Sequence, residues 1–108
     1  KGGDEMTAPF NQLSPDKAER LAMLAEECAE VIQIIGKVLR HGYDSHHPDD
    51  VQATPNSRLL ENELLDVFAV HLAMIRAGDI RSPGDLENSA AARWEKKLRY
   101  THHQEPMK

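Results

Sequence analysis

Cysteine is almost missing from this chain of 108 residues: Cys28 stands alone, so no internal disulfide can form. A reducing compartment, the cytoplasm, is the expected setting. Aromatic residues make up only 5 % of the sequence, and the six glycines and six prolines fall mostly at segment edges. That scarcity excludes a typical sandwich or barrel and favours helices. No apolar run approaches the ~20 residues of a bilayer-crossing helix, and no signal-peptide pattern is seen ahead of the domain, so no membrane partner is expected. Positive charge is short as well. Thirteen Lys and Arg face eighteen Asp and Glu, a net charge of −5, which argues against a nucleic-acid partner. An anionic ligand would be repelled too, unless cations screened its site.

The length fits a single domain with a core small enough to gain from oligomerisation. Three helices are expected. Ser14 caps the first, Pro15 occupies its opening position and Asp16 meets the positive end of its dipole. Leu21, Leu24, Cys28, Val31, Ile32, Ile35 and Leu39 then keep a helical period to His41, with Gly42 as the residue after the end. Gly36 inside this helix reads as a point of close helix packing or as room for a ligand against the backbone. The segment 43–55, rich in Asp, His and Pro, is a loop long enough to be a lid or disordered. The second helix is expected from Asn56 or Ser57 to about Ala77, ending at Gly78, with Leu60, Leu64, Val67, Phe68, His71 and Ile75 as its core stripe. Ser82 and Pro83 are expected to open the third, which runs to about Tyr100 with Leu86, Ala90, Trp94 and Leu98 on one side. Residues 1–13 and 101–108 are expected to be flexible flanks of a domain spanning 14–100, with Met6 as a natural start. The fold class is therefore all-α: an antiparallel helical bundle of three main helices, completed by homo-oligomerisation because the apolar arcs are wider than a small monomer can cover.

What the chain does have is acid in a particular arrangement. Glu-Glu-Cys-Ala-Glu at 26–30 and Glu-Leu-Leu-Asp at 63–66 each place two carboxylates one helical turn apart, Glu27 with Glu30 and Glu63 with Asp66. At about 100° per residue, Met23, Glu27, Glu30, Ile34 and Lys37 border the core face of the first helix, and Leu59, Glu63, Asp66 and Val70 border that of the second. Glu26 points to solvent. Four converging carboxylates repel one another and resist dehydration, so folding alone gives no reason to assemble them. A hard divalent cation does, and Mg²⁺ bridging to phosphate is the commonest version, with Mn²⁺ as a substitute. The expected metal ligands are Glu27, Glu30, Glu63 and Asp66. Lys37 and Arg40 follow the first motif, while Arg93, Lys96, Lys97 and Arg99 cluster at the end of the third helix. Such positions suit a helix C-terminus as well as phosphate contact.

The two-part motif, EECAE followed by ELLD, resembles the E-E-x-x-E … E-x-x-D signature of the MazG-like, all-α nucleoside triphosphate pyrophosphohydrolases. The likeness runs from about Leu13 to Tyr100. It implies hydrolysis between the α- and β-phosphates of a nucleoside triphosphate, giving a monophosphate and pyrophosphate, by a homodimer or homotetramer. It further implies Lys97 and Tyr100 as phosphate-side contacts, to which Lys37 is added for its place after the first motif; for the hydrolysis, either Glu27 or Glu30 would accept the proton of the attacking water, and the choice between them stays open. The segment between Glu30 and Glu63 is longer than in compact members, and the excess falls in the 43–55 loop. The remaining chemistry-bearing residues read more plainly. His71 is expected as a satisfied core histidine, Trp94 as core or interface, and Cys28 as a small packed hydrophobe. His46-His47 and His102-His103 lack the i, i+4 spacing of a helical zinc pair. A competing reading is a catalytically silent helical interaction module on the same scaffold. A di-iron bundle is disfavoured, because neither motif offers Glu-x-x-His.

Overall fold

The computed structural model describes residues 10–107; the expected start at Met6 and most of the expected N-terminal flank lie outside them. Three helices and no strands occur among the described residues: α1, Pro15–His41; α2, Asn56–Arg76; α3, Leu86–Leu98. None is long and apolar enough to cross a membrane.

The bounds of α1 follow from its ends. Ser14 occupies the cap position and Pro15 the first turn, although the Ser14 hydroxyl bonds Asp16 instead of a backbone N–H. At the far end Gly42 takes φ 88°, and its N–H donates to Val38 O at 2.7 Å. The end of α2 is closed by Gly78 at φ 82°. Its N–H reaches Ile75 O and that of Asp79 reaches Met74 O, a paired closure that needs a left-handed residue at this point. α3 starts later than the Ser82-Pro83 signature indicates. Gly84 at φ 78° turns the chain out of helical geometry, so the cap passes to Asp85, whose carboxylate accepts from Asn88 N at 3.1 Å.

α1 and α2 pack as an antiparallel hairpin, but α3 does not join them: no Cα of α3 comes within 8 Å of one in either. The expected three-helix bundle is thus a two-helix hairpin plus a separate helix within one chain. Gly78 and Gly84 bend the connection twice, and Leu86 on α3 remains half exposed. The chain exposes 9139 Å², where a compact monomer of 12.1 kDa exposes about 6000 Å². Its radius of gyration is 18.9 Å, against about 13 Å for a compact chain of this length.

The hairpin is turned differently from the expected stripe. Val70 and Met74 are its only buried apolar side chains among the described residues, and they continue the line of Glu63. Leu64, Phe68, Ile32, Ile35 and Leu39, expected as core, are all exposed, Leu39 by 81 %. Cys28 is exposed on the same outer side, so it is no packed hydrophobe in this protomer. The helices meet along the face that carries the acids, and the wider apolar faces look outward. His71 is half-buried, edge-on to Phe68 with ring centroids 6.4 Å apart. Residues near the C-terminus fold back far enough for Trp94 Nε1 to donate to Glu105 O at 2.8 Å.

Two polar clamps hold the ends of the hairpin. At one, Arg20 grips Asp79 through Nε at 2.6 Å and Nη2 at 3.0 Å, with Asp16 alongside at 3.2 Å. At the other, Asn56 is 1 % exposed and its Nδ2 donates to Gly42 O, while Asn56 N and Ser57 N donate to Ser45 O and Tyr43 O. Asp50 ties the loop between them by accepting from the backbone N–H of Thr54 and Gln52, which holds its carboxyl below the usual range. The 43–55 segment is therefore a stapled connection, not a disordered one.

Gly36 faces no partner helix here. A Cβ at this position would meet only Nη1 of Arg40, at 3.4 Å. Gly36→Ala should raise stability by about 0.5–1 kcal/mol, the helical penalty of glycine, when measured by urea unfolding. A loss of similar size would show that another helix approaches this backbone in the working protein.

Candidate metal centre

Packing the acid-bearing faces together brings the two motifs into one place. Carboxylate oxygens of Glu27, Glu63 and Asp66 lie within 4.8 Å of one another. Glu30 adjoins this trio, and its carboxyl interacts with those of both Glu27 and Glu63. α1 supplies Glu27 and Glu30, and α2 runs antiparallel to return Glu63 and Asp66 to the same level. Glu27, Glu30 and Glu63 are half-buried and Asp66 is exposed, so the cluster opens on the Asp66 side. Glu26 is exposed, as its wheel position indicates.

The electrostatics are unfavourable as they stand. Loss of water raises the Glu27 carboxyl above its usual value, and repulsion from Glu30 and Asp66 adds to the shift. Glu63 is raised for the same first reason, then by the adjoining Glu30 carboxyl and by the neighbouring charges of Asp66 and Glu27. Oε2 of Glu27 and Oε2 of Glu63 are buried without a hydrogen-bond partner among the described residues. Buried carboxylate oxygens left bare are costly, and a hard cation is the group that several such oxygens satisfy together. The donor set, all carboxylate oxygen, fits Mg²⁺ or Mn²⁺ and not a metal preferring sulfur or nitrogen.

The basic residues separate into two groups. Lys37 is half-buried on α1, beyond Glu30 on the inner stripe, and lines a cavity at the loop end of the hairpin. Lys97 and Tyr100 instead line an open hollow of about 290 Å³ with Arg93 and Lys96. Because α3 stands off the hairpin, they do not meet the acids of their own chain. The clamps went unnoticed in the sequence. Asp16 and Arg20 at i, i+4 offered a weak signal, but pairing Arg20 with Asp79 needs the hairpin itself. The chain matches none of the family models, curated proteins or solved structures with which it was compared.

The raised carboxyls fix a pH dependence. A group held above its unfolded value binds more protons in the folded state, so stability falls as pH rises through and beyond the usual 4.5. Asp50 and Asp79 are held low and lose their contributions only below the usual 3.8. In EDTA, the melting temperature should therefore rise as pH is lowered from about 7 to about 5, and millimolar Mg²⁺ should remove that rise by stabilising the charged form. A metal-free melting temperature that falls on acidification in this interval would contradict the assignment.

Proposed function

We propose that this protein is a Mg²⁺-dependent nucleoside triphosphate pyrophosphohydrolase of the MazG-like type, working as a homodimer or homotetramer. The observation that carries the reading is the convergence of Glu27, Glu63 and Asp66 oxygens within 4.8 Å, with two of those residues holding unpartnered buried oxygens. Glu30 completes the set of four that the motif resemblance assigns to the metal. Held by these four carboxylates, a divalent cation would offset the charge of a polyphosphate tail and make the attacking water more acidic.

The rest is performed by side chains. Glu27 and Glu30 are the bases available for the water proton, and loss of water raises the Glu27 carboxyl above its usual value, which suits a proton acceptor. Water attacks so that the bridge between the α- and β-phosphates breaks; its oxygen stays on the monophosphate product and pyrophosphate leaves. Lys37 on the inner stripe suits contact with the departing phosphates. Lys97 and Tyr100 would reach the acids only from a second chain, because α3 does not fold onto its own hairpin. The chain exposes about 3000 Å² more than a compact monomer of its mass, and that open shape supports such an assembly. The outward apolar faces of α1 and α2, with Leu64, Phe68, Ile32 and Leu39, are the surface it would bury. A lone thiol on that face suits the reducing cytoplasm.

The same outward faces also favour the second reading, a silent interaction module. Activity separates the two. Incubation with a panel of nucleoside triphosphates and Mg²⁺ should release pyrophosphate and a monophosphate; orthophosphate would overturn the bond assignment, and no product with any nucleotide would favour the silent module. Glu63→Gln should lower kcat by on the order of 10²–10³ while raising the metal-free melting temperature, since one dehydrated, repelling charge is gone. Retained activity with a lower melting temperature would make Glu63 structural.

A further inference from the structure

Away from the acid seam, α1 carries a second line of side chains at helical spacing. Leu21, Ala25, Cys28, Ile32, Ile35 and Leu39 follow one another at alternating intervals of four and three, the spacing that keeps a seam facing a neighbouring helix. All six are exposed, Ile32 by 68 %, and the line runs most of the length of α1. α3 packs against neither other helix, so it does not cover this line. Single apolar side chains at a surface mean little. A continuous line at this spacing fits a second helix, and neither a loop nor a small molecule.

The order of residue sizes along the line selects the partner. The small Ala25 and Cys28 lie in its first half, the branched Ile32 and Ile35 in its second. Laid antiparallel on a copy of itself, the line sets small against large: Ala25 beside the partner's Ile35, Cys28 beside the partner's Ile32, and Leu21 beside the partner's Leu39 at each end. Laid parallel, it stacks alanine on alanine and isoleucine on isoleucine, a gap at one level and crowding at another. Charge points the same way. Glu19, Glu26, Gln33 and Arg40, all exposed, form a further line round the helix, beyond the small residues Ala22, Ala29 and Gly36. That line is acidic at its start and basic at its end. An antiparallel copy brings Glu19 close to the level of the partner's Arg40, whereas a parallel copy matches acid with acid. A lipid surface fits poorly, because the same acids would meet anionic headgroups.

We propose that a second copy of this chain docks on this line, its α1 antiparallel to the first and in the register that faces Cys28 with the partner's Ile32. The inference deepens the assembly proposed above and rests on that part of the reading, not on the hydrolysis.

Sedimentation of the full chain reads the mass, and disulfide trapping reads the register. The wild type should sediment at twice 12.1 kDa or a higher even multiple. Ile32→Glu should halve that mass with helicity by circular dichroism unchanged, because Ile32 is exposed in the single chain. Under mild oxidation Ile32→Cys should give a covalent dimer joined through Cys28, and adding Cys28→Ser should abolish it. The wild type should stay uncrosslinked: the two Cys28 thiols are offset by about 6 Å along the axis, besides the roughly 8–10 Å between helices. A wild type of 12.1 kDa, an undiminished mass for Ile32→Glu, or no trapping with Ile32→Cys would each overturn the proposal. So would a wild-type Cys28 crosslink or trapping that survives Cys28→Ser, both signs of parallel pairing. Turnover enters none of these readouts, so a chain that pairs in this way and releases no pyrophosphate contradicts the hydrolase reading alone.

Discussion

Carboxylates pressed into the seam between two helices set the terms for the rest of this molecule. A hairpin of this size ordinarily closes on apolar side chains, and α1 and α2 have enough of them. Instead the helices meet along the line of Glu27, Glu30 and Glu63, with Val70 and Met74 the only apolar side chains fully sheltered among the described residues. Burial and mutual repulsion both oppose that choice, as the raised carboxyls of Glu27 and Glu63 register. An arrangement that costs stability in the bare chain is understandable when a bound cation returns it, because ligand binding to the folded state alone adds to stability.

The placement of everything else follows from this seam. With the acids inside, the apolar stripes of both helices are left looking outward. The hairpin has only a thin core, with Val70 and Met74 buried among the described residues, and its ends are secured by polar clamps. Arg20 with Asp79 fixes one end, and Asn56 with Gly42, Ser45 and Tyr43 fixes the other. Both clamps are well shielded, which makes their hydrogen bonds worth more than the exposed Arg58–Glu61 pair on α2. α3, half-buried at Ser89, Ala91, Trp94 and Leu98 and nowhere fully sheltered, packs against neither other helix of its own chain and carries its basic end away from the acids.

Much of this was legible in the residues. Pro15 and Gly42 bound α1 as their conformational preferences require, Asn56 opens α2, and Gly78 closes it one position past Ala77. The i, i+3 spacing was enough to place each acid pair on one helix face. Which face would be inside was not legible. Hydropathy alone ranks Leu64, Phe68 and Ile32 as core, and only the hairpin pairing shows that Glu63 and Val70 hold that position. The start of α3 was missed because Ser82-Pro83 has the composition of a cap, while Gly84 imposes a left-handed turn that no helix can include. The Arg20–Asp79 clamp joins residues far apart in sequence, and such pairs leave no periodic trace. Asp50 and Asn56, in a loop that composition marks as loose, act through backbone hydrogen bonds that residue type alone does not announce.

Direct titration of Mn²⁺ into the wild-type chain and into a Glu27→Gln, Glu63→Gln double variant, followed by the Mn²⁺ electron paramagnetic resonance signal, goes to the centre of this account. The seam of carboxylates predicts that the free-ion signal is suppressed by the wild type and survives in the variant, even though the variant melts higher without metal. Equal suppression by both chains, or by neither, would contradict it.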